Sequence, residues 1–126
     1  MSASPQDGLI VFAHGSRVAE ANEAVRRVAE LAAGESGFPL WQEAFLELAQ
    51  PTLAEAVSAL AARGARRIVV TPYFLVMGIH LQRDLPLLLD EARAAASDVE
   101  LIATPPLDGH PGLARILSER AREAVR

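Results

Sequence analysis

Residues 9–17, reading LIVFAHGSR, constrain this chain more than any other segment. The apolar run up to Ala13 is rich in branched and aromatic side chains and shows no polar alternation, the pattern of a strand buried on both faces. His14, Gly15, Ser16 and Arg17 interrupt it, and a helical pattern begins at once. A strand that passes through a short turn into a helix places that turn at the carboxyl edge of a parallel sheet, where open α/β sheets bind their ligands. His14 therefore stands where a functional residue would stand.

The remainder alternates in the same way. A first helix is predicted over 18–33, with Val18, Ala21, Val25, Val28 and Ala32 inward and Gly34 ending it. A second strand is expected over 38–45. Pro51, Thr52 and Glu55 then carry the signature of a helix entry with a capping box, with Leu53, Val57 and Leu60 buried and Gly64 closing the helix. A third strand is expected over 67–71, followed by a long apolar loop over 72–80. Asp84 is expected to cap a third helix with Pro86 in its first turn and Leu85, Leu88, Leu89 and Ala92 inward. A short fourth strand over 99–103 precedes a last helix opened by Pro111, with Leu113, Ile116 and Leu117 buried. The expectation is one α/β domain spanning 1–126, with 1–7 a flexible tail. Its four-stranded parallel sheet carries helices on both faces.

Composition narrows the function. With 126 residues and 51% apolar side chains, the chain suits one globular core. A net charge of −4 gives no long-range attraction for nucleic acid or an anionic membrane. The longest nearly apolar run, 68–79, contains Pro72 and Gly78 and falls short of the ~20 residues of a membrane span. Cysteine is absent, which excludes disulfides and thiolate metal sites and suits a cytoplasmic location. The first residues, MSASPQDG, do not read as a signal peptide. The chain contains no lysine and no GxxxxGK[ST], GxGxxG or GxSxG, so P-loop, dinucleotide and nucleophile-elbow chemistry lack their motifs.

Three residues that can do chemistry fall at successive strand ends: His14, Glu47 and His80. Two imidazoles and a carboxylate suit a divalent first-row metal. Taken singly, each has an ordinary alternative as a turn or surface residue. The loop with Tyr73, Phe74, Leu75, Val76, Met77 and Ile79 reads as an extension of the strand into the core, as an apolar wall for a flat ligand, or as a subunit contact. His110, before Pro111, reads as structural or capping.

Four segments together resemble the sirohydrochlorin chelatase family of class II, ATP-independent cobaltochelatases and ferrochelatases. They are HGSR at 14–17, AFLELAQPTL at 44–53, RIVVTPYFLVMGIHLQRDLP at 67–86 and GHPGL at 109–113. The resemblance implies a chelatase-like fold, a flavodoxin-like half, and a lyase that inserts a divalent metal into sirohydrochlorin or a related tetrapyrrole. Cobalt is the first expectation and iron or nickel the alternatives, for cobalamin or siroheme-type cofactor synthesis. The family's metal-binding histidines match His14 and His80, and its acidic site residue matches Glu47. No cofactor beyond the substrate metal is implied. A short single-domain form implies a homodimer. The apolar loop, through Tyr73, Phe74 and Met77, would lie against the ring, and Ser16, Arg17, Gln82 and Arg83 would meet its carboxylates. A non-catalytic carrier of tetrapyrrole or metal would use the same residues.

Overall fold

In the computed structural model, which describes residues 3–126, β1 (Asp7–Ala13) is buried along its whole length. It lies between β2 (Leu40–Phe45) and β3 (Arg67–Pro72), and β4 (Glu100–Ala103) flanks β3. All pairings are parallel: Ala13 stands opposite Phe45, Phe12 opposite Pro72, and Val70 opposite Ala103. The order β2-β1-β3-β4 reverses direction between β1 and β3. In open α/β sheets the crevice beyond the carboxyl ends at such a reversal is the ligand site.

Side chains alternate across β1, as the pleat requires. Ile10 and Phe12 face α2 (Leu53–Ala62) and α3 (Ile79–Ala95), in one cluster with Val57, Leu60, Ile68, Val70, Leu85 and Leu89. Leu9 and Val11, also buried, belong to the opposite face, where α1 (Ala19–Ser36) packs on β1 and β2. Phe12 is fully buried, and Phe74 meets it edge-on with ring centroids 6.0 Å apart and planes at 65°. Truncating such a phenylalanine costs about 3–5 kcal/mol. The same contact ties the connection after β3 to the core.

The capping box forms as the sequence indicates. Thr52 Oγ1 accepts the Glu55 N–H at 3.2 Å, and Glu55 Oε1 accepts the Thr52 N–H at 2.8 Å. Gly64, at φ +106°, closes α2. Several boundaries differ from expectation. Helix α1 runs through Gly34 and ends at Gly37, whose φ of +79° supplies the left-handed turn and whose N–H reaches the Ala33 carbonyl. Its buried residues are Ala29 and Ala33, and Val18 is an exposed N-cap. Strand β2 begins at Leu40, two residues later than read. Asp7, expected in the tail, is the first residue of β1 and only 2% exposed. Its carboxylate accepts two hydrogen bonds from Arg67, at 2.9 and 2.7 Å, and one from the Ser4 N–H at 2.8 Å. The first two residues of that expected tail lie outside the described residues.

Two corrections bear on function. Helix α3 begins at Ile79, with Gly78 as its N-cap, so the connection after β3 is shorter than expected and His80 is helical. Asp84 is not the cap, and Pro86 lies inside the helix instead of in its first turn. Helix α4 (Gly112–Ala124) buries no residue: Ile116 is 55% and Leu117 70% exposed, because α4 stands off the sheet. Among the described residues, no helix is long and apolar enough to cross a membrane.

Candidate functional site

The turn after β1 carries His14, and the segment after β2 carries Glu47. Their approach is built into the backbone. The Leu46 N–H donates to the Ala13 carbonyl at 2.9 Å and the Glu47 N–H to the His14 carbonyl at 3.0 Å, which prolongs the β1–β2 ladder past both strands. Gly15 makes room for this. Its φ is +99°, and a Cβ there would overlap the Glu47 carbonyl oxygen. The Phe45 N–H closes the Glu47 segment by donating to the Pro51 carbonyl at 2.9 Å. Leu48, within it, holds the left-handed φ of +66°.

The outcome is a side-chain pair, with His14 Nε2 3.3 Å from Glu47 Oε1 and both more than half exposed. In that setting the ion pair adds little stability. Both groups remain open to a ligand, an imidazole lone pair to a cation and a carboxylate to a cation or a proton.

His80 arrives from α3. Gly78 caps the helix through its backbone, and the Gln82 side-chain amide donates to the Met77 carbonyl at 2.9 Å, fixing the turn before it. His14 and His80 line one open cleft of about 290 Å³, with Leu46, Phe74, Val76, Gly78, Leu81 and Asp84. The structure thus brings His14 and Glu47 into contact and places His80 on the wall of the cleft that His14 lines. Among the described residues, no three His, Asp or Glu side chains stand close enough to hold one ion as they are placed.

The other expected residues divide. Phe74 lines this cleft, while Met77 and Gln82 line a neighbouring one of about 420 Å³ that shares Val76. Tyr73, 40% exposed, is tied by its N–H to the Phe12 carbonyl. Ser16 is engaged in its turn: its Oγ accepts the Val18 N–H, and the Asn22 side chain bonds both its N–H and its carbonyl. Arg17 and Arg83 are exposed, free of ion pairs among the described residues. The apolar run divides: Pro72 completes β3 and is buried, Phe74 and Met77 pack against the core, and Leu75, Val76 and Ile79 are each more than 65% exposed. His110 sits outside the cleft, and its Nδ1 accepts the Gly112 N–H at 2.9 Å at the start of α4.

Sequence reasoning missed Asn22 and Asp84. Asn22 could have been found as a side chain in the first helical turn able to reach back to an irregular backbone. Asp84 was hidden by its apparent capping role.

This arrangement is that of a chelatase-type α/β fold. The structure is similar to that of a CbiX protein from Marinobacter aquaeolei VT8 assigned to cobalamin (vitamin B12) biosynthesis, with a TM-score of 0.82, 27% identity and coverage of 94% of this chain and 97% of that one. The CbiX family profile matches residues 8–124, and the chain belongs to that family of sirohydrochlorin chelatases. Among its relatives, the sirohydrochlorin cobaltochelatase of Methanothermobacter thermautotrophicus is 29% identical over 96% of this chain and 94% of its own length. The chloroplastic sirohydrochlorin ferrochelatase of Arabidopsis thaliana is 33% identical over 94% of this chain, which spans only 53% of that longer protein.

Proposed function

We propose that this chain inserts a divalent metal ion into sirohydrochlorin without ATP. The observation that supports the reading most directly is the pair of imidazoles, His14 and His80, from two separate connections, lining one open apolar cleft at the switch point of the sheet. Metallation replaces two pyrrole N–H bonds by metal–nitrogen bonds and releases two protons. Neutral imidazoles hold a first-row divalent ion and leave the rest of its coordination sphere for the ring nitrogens. Glu47, beside His14, takes up a departing proton and passes it to solvent.

Phe74, with Tyr73 and Met77 nearby, offers a flat apolar surface to the macrocycle. The guanidinium groups of Arg17 and Arg83, with the Ser16 hydroxyl and the remaining N–H of the Gln82 amide, stand nearest in sequence to the two histidines and would donate to the ring's carboxylates. Cobalt is the metal of this proposal. Iron and nickel suit the same donors, since the affinity order of such ions depends little on the site. The reaction would serve cobalamin or siroheme-type synthesis in the cytoplasm, and the working form would be a homodimer.

The test is an absorption assay. The protein is mixed with sirohydrochlorin and Co²⁺, Fe²⁺ or Ni²⁺ in turn, and loss of the metal-free spectrum is followed. Acceleration above the spontaneous rate with at least one ion is expected. Binding of sirohydrochlorin with no acceleration by any ion would identify a carrier and overturn the proposal.

A further inference from the structure

We propose that Asp84 is a positioning residue for His80, a carboxylate that holds the imidazole in one tautomer and one orientation toward the cleft. The inference rests on the reading of His80 as a metal-holding residue.

Asp84 has no role in starting α3. The helix begins five residues before it, and an aspartate beyond the first turn has no free N–H groups to cap. Nor does it stabilise the helix through charge. On a helix a side chain meets those three and four positions away, and around Asp84 these are Leu81, Leu87, Leu88 and His80. The imidazole is the only polar group among them. Among the described residues, Asp84 makes no ion pair. Yet Asp84 and His80 line the same cleft, one helical turn apart and so on one face of α3. An unpaired carboxylate has been placed on an otherwise apolar wall next to one imidazole.

The other imidazole already has such a neighbour, since His14 lies 3.3 Å from Glu47. His14 thus has a carboxylate in contact, and His80 has one a helical turn away along the same cleft wall, not in contact as placed but within reach of a side-chain rotation. An imidazole that gives its N–H to a carboxylate presents the lone pair of its other nitrogen, and becomes a better donor to a cation. Without Asp84, His80 would divide between tautomers and rotate freely, because its own side chain is exposed.

The test uses Asp84→Ala and Asp84→Glu in the full chain. In the metal-free protein, ¹⁵N NMR of the His80 ring, assigned with His80→Ala, reads the tautomer directly. Titration with Co²⁺ alone reads affinity. One dominant tautomer is expected in the parent protein, a mixture in Asp84→Ala, and restoration in Asp84→Glu. Co²⁺ affinity should fall roughly 10- to 100-fold in Asp84→Ala and recover in Asp84→Glu. Circular dichroism checks the fold, and the exposed site tolerates alanine. An unchanged tautomer ratio and unchanged Co²⁺ affinity in Asp84→Ala would overturn the proposal. Failure of the parent protein to speed metal insertion would instead overturn the chelatase reading, and the tautomer measurement would still judge Asp84.

Discussion

The carbonyl oxygen of Glu47 occupies the space where a side chain on Gly15 would be. That relationship sets the distance between His14 and Glu47, since the ladder bonds on either side of it hold the two residues' backbones together. Gly15→Ala must move one segment off the other, and it also forces a left-handed φ on a residue with a Cβ. The variant is expected to lose about 1–3 kcal/mol of stability in urea unfolding. Its insertion rate should fall on the order of 100-fold, as a displacement of about 1 Å can cost. Stability and rate both at parental values would contradict this account.

Replacing His14 or His80 by alanine should abolish detectable metal insertion and weaken Co²⁺ binding while leaving the fold intact, since both side chains are exposed. His110→Ala provides the contrast. It removes the acceptor for the Gly112 N–H and should cost about 0.5–2 kcal/mol locally. Insertion should proceed at the parental rate, and parallel assays of the three variants decide the matter.

The Asp7–Arg67 pair lies at the opposite edge of the sheet from the cleft. The Arg67 guanidinium, then the Ser4 N–H, hold the Asp7 carboxyl down at about 2, against a smaller upward push from burial. In the unfolded chain an aspartate titrates near ~3.9. The stabilisation is therefore complete above about pH 4 and disappears as pH falls through about 2. Asp7→Asn should be less stable than the parent by about 2 kcal/mol at pH 6, and the gap should narrow between pH 4 and pH 2. Urea midpoints across that range give the measurement; a gap independent of pH would be inconsistent with the ion pair.

The uncovered apolar side of α4 supports the proposed homodimer. Ile116, Leu117 and Val125 are exposed there, as is Ile102 on β4. Light scattering over a dilution series is expected to give twice the chain mass. Leu117→Glu should lower it to the single-chain value without changing the urea midpoint of the sheet, because Leu117 lies outside the core. A single-chain mass for the parent at every concentration would remove the dimer.

Where local chemistry is decisive, the sequence was legible. The unbroken apolar run of β1 is buried throughout, and Thr52 with Glu55 forms the capping box it spells. Elsewhere a stronger local signal masked the true one. Asp84 and Pro86 together look like a helix entry, whereas the real N-cap, Gly78, acts through its backbone and leaves no side-chain signature. Proline is tolerated within α3 because the Gln82 residue whose carbonyl loses its partner is exposed to water. Gly34 and Gly37 are equivalent as letters, and only the left-handed φ of Gly37 distinguishes the stop. The apolar stripe of α4 was readable as a pattern, but periodicity shows that a helix has a greasy side, not that its own chain covers it. For the site, His14 and Glu47 lie where parallel strand ends must bring them; the company of Asp84 depended on the start of α3.

His80 occupies the first turn of α3, where the free N–H groups give the helix its positive pole. A cation received by that imidazole is repelled by the backbone field behind it, by about 0.3–1 kcal/mol. In the proposed reaction that repulsion would lower the hold of His80 on the ion by a few-fold at most, in the direction of release to the competing ring nitrogens.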